Sequence, residues 1–203
     1  MYKIIKRILD FLVSLFAIVA LSPVLAITAI AVKADSKGPV FFVQKRIGKD
    51  KKLFNMYKFR SMRTDTPHDM PTHLLNDPDA FITKVGKFLR KSSLDELPQL
   101  FNILKGDMSI VGPRPALWNQ DDLIAERDKY NANSIRPGLT GWAQVNGRDE
   151  LEIPVKAKFD GEYVDRMSLI FDIKCIVDTA LQVVKHEGVV EGGTGTINNS
   201  DKE

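Results

Sequence analysis

The chain has 203 residues, of which 44% are hydrophobic and 27% charged, enough for one domain with its own core plus an anchor. A single cysteine, Cys175, excludes an internal disulfide, and three scattered histidines argue against a zinc site. The net charge of +3 is modest, but from Lys33 to Arg63 ten Lys or Arg residues face only Asp35 and Asp50, a bias that suits a phosphate-rich partner or a solvated basic face.

The first element is apolar. Phe11–Val32 carries no charge and would reach about 33 Å as a straight helix, just enough to cross a bilayer. Ala29-Ile30-Ala31 resembles a signal-cleavage site, but the run is longer than a signal peptide needs. A spanning helix meets a second objection. Lys3, Lys6 and Arg7 precede the run and Lys33, Lys37, Lys45 and Arg46 follow it, which would place both flanks on the cytoplasmic side. Ser22-Pro23 lies at its middle, where proline removes a backbone donor, so a helix broken there can enter and leave on one face, with the Ser22 hydroxyl serving a freed carbonyl.

Val40–Gln44 and Leu53–Met62 read as two strands of a hairpin, with Lys58 and Arg60 on one face and Tyr57 and Phe59 on the other. Thr64–Pro78 reads as a loop in which His68 and His73 are surface residues. A short helix is expected over Phe81–Arg90, then a second whose apolar residues Leu97, Leu100, Phe101 and Leu104 repeat at helical spacing up to Gly106. Further expectations are a strand over Met108–Val111, a charged helix over Trp118–Tyr130 and an ordered loop over Arg136–Arg148. In Leu169–Val184 the residues Ile170, Ile173, Val177, Leu181 and Val184 share one helical face, for core packing or a membrane surface, and Cys175 lies in that stretch as a core or interface residue. Gly188–Glu203 reads as a disordered tail.

Asp95-Glu96 admits two readings. Ser93 with Glu96 fits a capping box, and Pro98 in a first turn sets the helix start near Asp95. The same placement keeps a carboxylate ionised, ready to attack phosphorus, and adjacent acids suit Mg²⁺ shared with substrate phosphates. Phosphoryl transfer also needs cations, for which Lys58, Arg60, Arg90 and Arg114 are candidates; Arg114 is held between Pro113 and Pro115.

Taken in order, Ser22-Pro23, Tyr57-Lys58-Phe59-Arg60-Ser61-Met62, Leu94-Asp95-Glu96-Leu97-Pro98-Gln99-Leu100, Leu104–Ser109, Val111–Pro115 and Arg136–Arg148 resemble the small monotopic phosphoglycosyl transferases, over about residues 1–186. These enzymes initiate bacterial capsule, O-antigen or glycoprotein glycan assembly on polyprenol phosphate. The resemblance implies an α+β, mostly helical fold: a re-entrant anchor over residues 1–34, broken at Ser22-Pro23, and a catalytic domain over 35–187 of helices and a short β-hairpin, docked on the cytoplasmic face of the bacterial membrane, with 188–203 as tail. Larger relatives carry extra domains, so this chain looks like the minimal form.

By the same resemblance Asp95 would attack the β-phosphate of a UDP-sugar with Mg²⁺ bound, releasing UMP, and polyprenol phosphate would then take the phospho-sugar from Asp95. Glu96 would be metal partner or base, Arg114 a phosphate ligand, Lys58, Arg90 and Asp160 further site residues, and Gln144 and Arg148 part of the nucleotide region, unless that glycine-rich loop is architectural. An N-acetylated or 6-deoxy-amino sugar is expected, with UDP-glucose and UDP-galactose as competitors. Nucleic acid is not an expected partner, and a homo-oligomer is left open. The rival class is a membrane-tethered protein that holds anionic lipid or nucleic acid on the basic segment without chemistry.

Overall fold

The structure, a computed structural model, describes residues 2–66, 78–147 and 151–185. The fold is mostly helical with a small antiparallel hairpin. Helix α1 (Tyr2–Ala20) and helix α2 (Ser22–Asp35) meet at a 64° bend. Pro23 has no N–H to offer Val19, one turn back, and the Ser22 hydroxyl donates to that Val19 carbonyl instead at 2.8 Å. Among the described residues no single helix is long and apolar enough to cross a membrane, whereas the bent pair together is.

Helix α1 is turned inside out. Lys6, Asp10 and Ser14, spaced four apart, are buried, while Ile4, Ile8, Phe11, Leu12, Phe16 and Val19 are exposed. Two of the basic residues that the topology argument relied on are committed inside the protein. Lys6 bonds Asp172 at 2.6 Å, and Arg7 donates to the Ile103 and Leu104 carbonyls. Ala17, Ile18 and Leu21 join the core cluster of Met56, Leu100, Ile103 and Met108, and α2 adds Val32 to the cluster of Phe59 and Leu89. The expected anchor therefore shares its core with the rest of the chain.

Strands β1 (Phe41–Ile47) and β2 (Leu53–Phe59) pair antiparallel from Phe41↔Phe59 to Ile47↔Leu53. The expected second strand ran to Met62. It stops at Phe59: the Arg60 amide makes a last bond to Val40 O, and beyond it the chain pairs elsewhere, Arg63 N donating to Phe81 O and Thr83 N to Ser61 O. Helix α3 (Lys84–Ser92) begins three residues later than expected, where Thr83 Oγ1 accepts the Gly86 amide and Asp35, at the end of α2, accepts the Val85 amide.

The expected helix from Asp95 to Gly106 is corrected. Ser93 takes a left-handed conformation (φ 56°) and makes no side-chain cap, Leu94–Glu96 forms a 3₁₀ turn, and helix α4 (Gln99–Lys105) starts only after Pro98. Proline offers no amide, so the chain crosses this stretch on i→i−3 bonds such as Leu97 N to Leu94 O and Phe101 N to Pro98 O. The stop at Gly106 (φ 95°) agrees with expectation.

Strand β3 (Ser109–Val111) pairs in parallel with β4 (Gly138–Thr140), a second sheet inside the segment expected as loop. Two glycines are required there, since a Cβ on Gly138 would lie 2.1 Å from Gly112 N and one on Gly141 2.1 Å from Gly112 O. Helix α5 (Asp121–Asp128) is shorter than expected, α6 (Trp142–Val145) is one turn, and α7 (Ile153–Arg166) was not anticipated.

Helix α8 (Leu169–Lys185) packs Phe171 and Cys175 inward with Val111, Ile135 and Tyr163. Its apolar face points the other way, with Ile170 82% exposed and Ile173, Val177 and Leu181 about as open as surface residues, so the core-packing alternative for that face is set aside. Burial pushes the Cys175 thiol up to about 11, so it is a core residue and no nucleophile. His68, His73, the Val184 side chain and the expected tail lie outside the described residues.

Candidate active site

The 3₁₀ turn between α3 and α4 brings Asp95 and Glu96 against two cations from different parts of the chain. Lys58, on β2, places its Nζ 2.7 Å from Glu96 Oε1. Arg114, just beyond β3 in the Pro113–Pro115 segment, places Nη2 3.2 Å from the same oxygen. Arg90, in the last turn of α3, adds a third positive charge acting on Asp95.

The adjacent acids are driven apart. Burial would raise the Glu96 carboxyl, but Lys58 and Arg114, through charge and hydrogen bonds, hold it well below the usual carboxylate range. Asp95 is 8% exposed, and burial pushes its carboxyl up; Lys58, Arg90 and Arg114 oppose that rise while Glu96 adds to it. The expected helix-terminal field is not what acts on Asp95, since α4 begins four residues later. Among the described residues no hydrogen bond ends on the Asp95 carboxylate, whereas Glu96 Oε1 is shared by two cations. Such a pair has one acid fixed as an anion and a second open to an incoming group.

The other expected site residues are placed elsewhere. Arg60 is buried and donates to the carbonyls of Ser36 (2.7 Å) and Lys37, tying the end of α2 to the hairpin. Asp160, 1% exposed on α7, pairs with Arg127 at 2.7 Å, a second buried ion pair outside the group of charges that act on Asp95. Gln144 donates to Leu139 O at 3.2 Å within its own loop, and its Oε1 is buried with no partner among the described residues. Arg148 lies outside the described residues.

Sequence reasoning missed the polar side chains that hold these parts together. Asp10 accepts Ser109 Oγ at 2.7 Å and Ile110 N at 3.1 Å on the open edge of β3, and Asp172 accepts Tyr2, Lys6 and Tyr163. The one available signal was Lys6, Asp10 and Ser14 recurring every four residues in an otherwise apolar helix.

The profile of the bacterial sugar transferase family matches residues 1–186, and the chain belongs to that family. An uncharacterized sugar transferase, EpsL of Bacillus subtilis (strain 168), is 40% identical over 186 residues, covering 92% of this chain and 90% of that protein. A UDP-glucose:undecaprenyl-phosphate glucose-1-phosphate transferase of Xanthomonas campestris pv. campestris is 41% identical over 190 residues, covering 90% of this chain but 39% of the relative. An Aeromonas hydrophila UDP-N-acetylgalactosamine-undecaprenyl-phosphate N-acetylgalactosaminephosphotransferase is 39% identical over 186 residues, covering 88% of this chain and 43% of the relative. The chain thus spans most of one relative and about two-fifths of the other two.

Proposed function

We propose that this chain moves a sugar-1-phosphate from a UDP-sugar to polyprenol phosphate. The observation that carries the reading is the buried Asp95 carboxylate, without a hydrogen bond among the described residues, under the charges of Lys58, Arg90 and Arg114. Asp95 attacks the β-phosphorus, the bond to the bridging oxygen breaks, and UMP leaves with that oxygen. An oxygen of polyprenol phosphate then attacks the same phosphorus, giving the polyprenol diphosphate sugar and freeing the carboxylate. In this reading Arg114 and Lys58 balance the phosphoryl oxygens, and Glu96, in contact with both, keeps the two cations together as an anion throughout.

Mg²⁺ fits this donor set. Among the described residues no group of three or more His, Cys, Asp or Glu side chains gathers as a complete metal site. Mg²⁺ commonly takes one or two carboxylates and completes its shell with phosphate oxygens and water, so Asp95 and the second oxygen of Glu96 would hold it. It would supply neutralisation of the diphosphate. Glucose and N-acetylgalactosamine are named for relatives of almost equal identity, so overall similarity does not select the sugar. The decisive assay offers undecaprenyl phosphate, Mg²⁺ and UDP-glucose, UDP-galactose, UDP-N-acetylated or UDP-6-deoxy-amino sugars and measures UMP. Release with one donor, abolished by chelation, is expected; no UMP from any donor overturns the reading.

The bent α1–α2 pair is proposed to enter the cytoplasmic leaflet of the bacterial membrane and return, with α8 lying on its surface. The bend at Ser22-Pro23 and the exposed apolar faces of α1, α2 and α8 support this. Tags at Met1 and Glu203 are expected to be reached by protease from the same side of sealed vesicles. Protection of one tag alone would establish a spanning helix.

A further inference from the structure

We propose that Asn102 is a positioning residue that sets Lys58 against Glu96 by standing in for a missing third strand beside β2. Among the described residues the hairpin has two strands, so β2 is left with peptide groups on its outer edge that no further strand bonds. Asn102, fully buried on α4, fills two of them at once. Its Oδ1 accepts the Tyr57 amide at 3.0 Å and its Nδ2 donates to the Asn55 carbonyl at 2.8 Å, the paired bonds that a neighbouring strand would exchange.

The consequence runs to the site. Asn55 and Tyr57 flank Met56, which is buried against Leu100 and Ile103 of α4, and Lys58 shares the Met56 face of the strand. Asn102 thus fixes the register of β2 on the same short segment, Leu94–Lys105, that carries Glu96. With the strand held at that point, Lys58 Nζ reaches Glu96 Oε1 at 2.7 Å. The side chain is held in turn, its Nδ2 also donating to Asp107 Oδ2 at 3.3 Å. The Asn102 backbone carbonyl accepts the amides of Gly106, Asp107 and Met108, which fixes the end of α4. Only a carboxamide supplies an acceptor and a donor in one plane here; an aspartate would turn a second acceptor toward the Asn55 carbonyl.

This inference rests on the proposed transfer reaction, so its test begins with UMP release by the unsubstituted chain; no release from any UDP-sugar overturns that reaction and the inference with it. With an active chain, Asn102→Asp is expected to lower kcat/KM by about a hundredfold, the scale of a small misplacement of a reacting group. In a Lys58→Met background the same substitution is expected to cost no more than about twofold, because its partner in the effect is already gone. Asn102→Ser, which adds no charge, repeats the cycle and carries it alone if the aspartate variant does not fold. Amide exchange at Tyr57 is expected to accelerate in both. Equal losses in the two backgrounds, or unchanged Tyr57 exchange, would reduce Asn102 to a general packing residue and overturn the proposal.

Discussion

Asp95→Asn is expected to lower UMP release by about a thousandfold or more, the scale of removing a covalent nucleophile. The label of a sugar-1-phosphate trapped on protein should vanish with it. The fold should survive, and stability should hold or rise. Burial raises the Asp95 carboxyl, so the neutral amide removes a charge that the folded chain accommodates poorly. A variant that is folded, stable and inactive separates catalysis from structure, and persistent label would assign the nucleophile to another group. The same burial sets the pH dependence. The ionised fraction of Asp95 falls as pH drops through a raised pKa, so the acid limb of kcat/KM is expected above the usual aspartate range. Glu96, held low by Lys58 and Arg114, stays an anion across that window.

Lys6→Met is expected to cost about 3–5 kcal/mol, the scale of removing one partner from a buried ion pair. Lys6 is 8% exposed and lies 2.6 Å from Asp172 Oδ2 and 3.8 Å from Asp10 Oδ1. Without it two buried carboxylates lose the cation between them. Asp172 keeps the hydroxyls of Tyr2 and Tyr163, and Asp10 keeps Ser109 and the Ile110 amide, so the chain is expected to fold with a lowered Tm in detergent. Asp172→Asn added to Lys6→Met should recover part of the loss, since it removes one of the stranded charges. An unchanged Tm for Lys6→Met would mean that the pair contributes no net stability to α1.

Much of this was legible in local pattern. The hairpin followed from two β-rich stretches around a polar turn, the helix stop from Gly106, and the bend from Ser22-Pro23. What failed was decided at long range. Pro98 looked like a first-turn proline, but the chain uses a 3₁₀ turn to bring Glu96 under Lys58 and Arg114, neither of which is near in sequence. Lys58 and Arg60 looked equivalent on one strand face, yet the strand ends between them and Arg60 turns to the carbonyls of Ser36 and Lys37. Strands β3 and β4 are three residues each, too short for alternation to register, and their pairing is set by the close approach of Gly112, Gly138 and Gly141.

The bond between Lys6 and Asp172 joins residues 166 apart in sequence, which orders events during biosynthesis. The ribosome makes α1 well before Asp172, the partner that α1 needs to dock. Until then the Lys6 ammonium has Asp10, one helical turn away, as its near counter-ion. The nascent helix therefore carries a local, nearly neutral pair, and the later arrival of α8 completes the contact. Slow elongation between the codons of α1 and α8 should lengthen the period in which α1 is undocked and open to proteases.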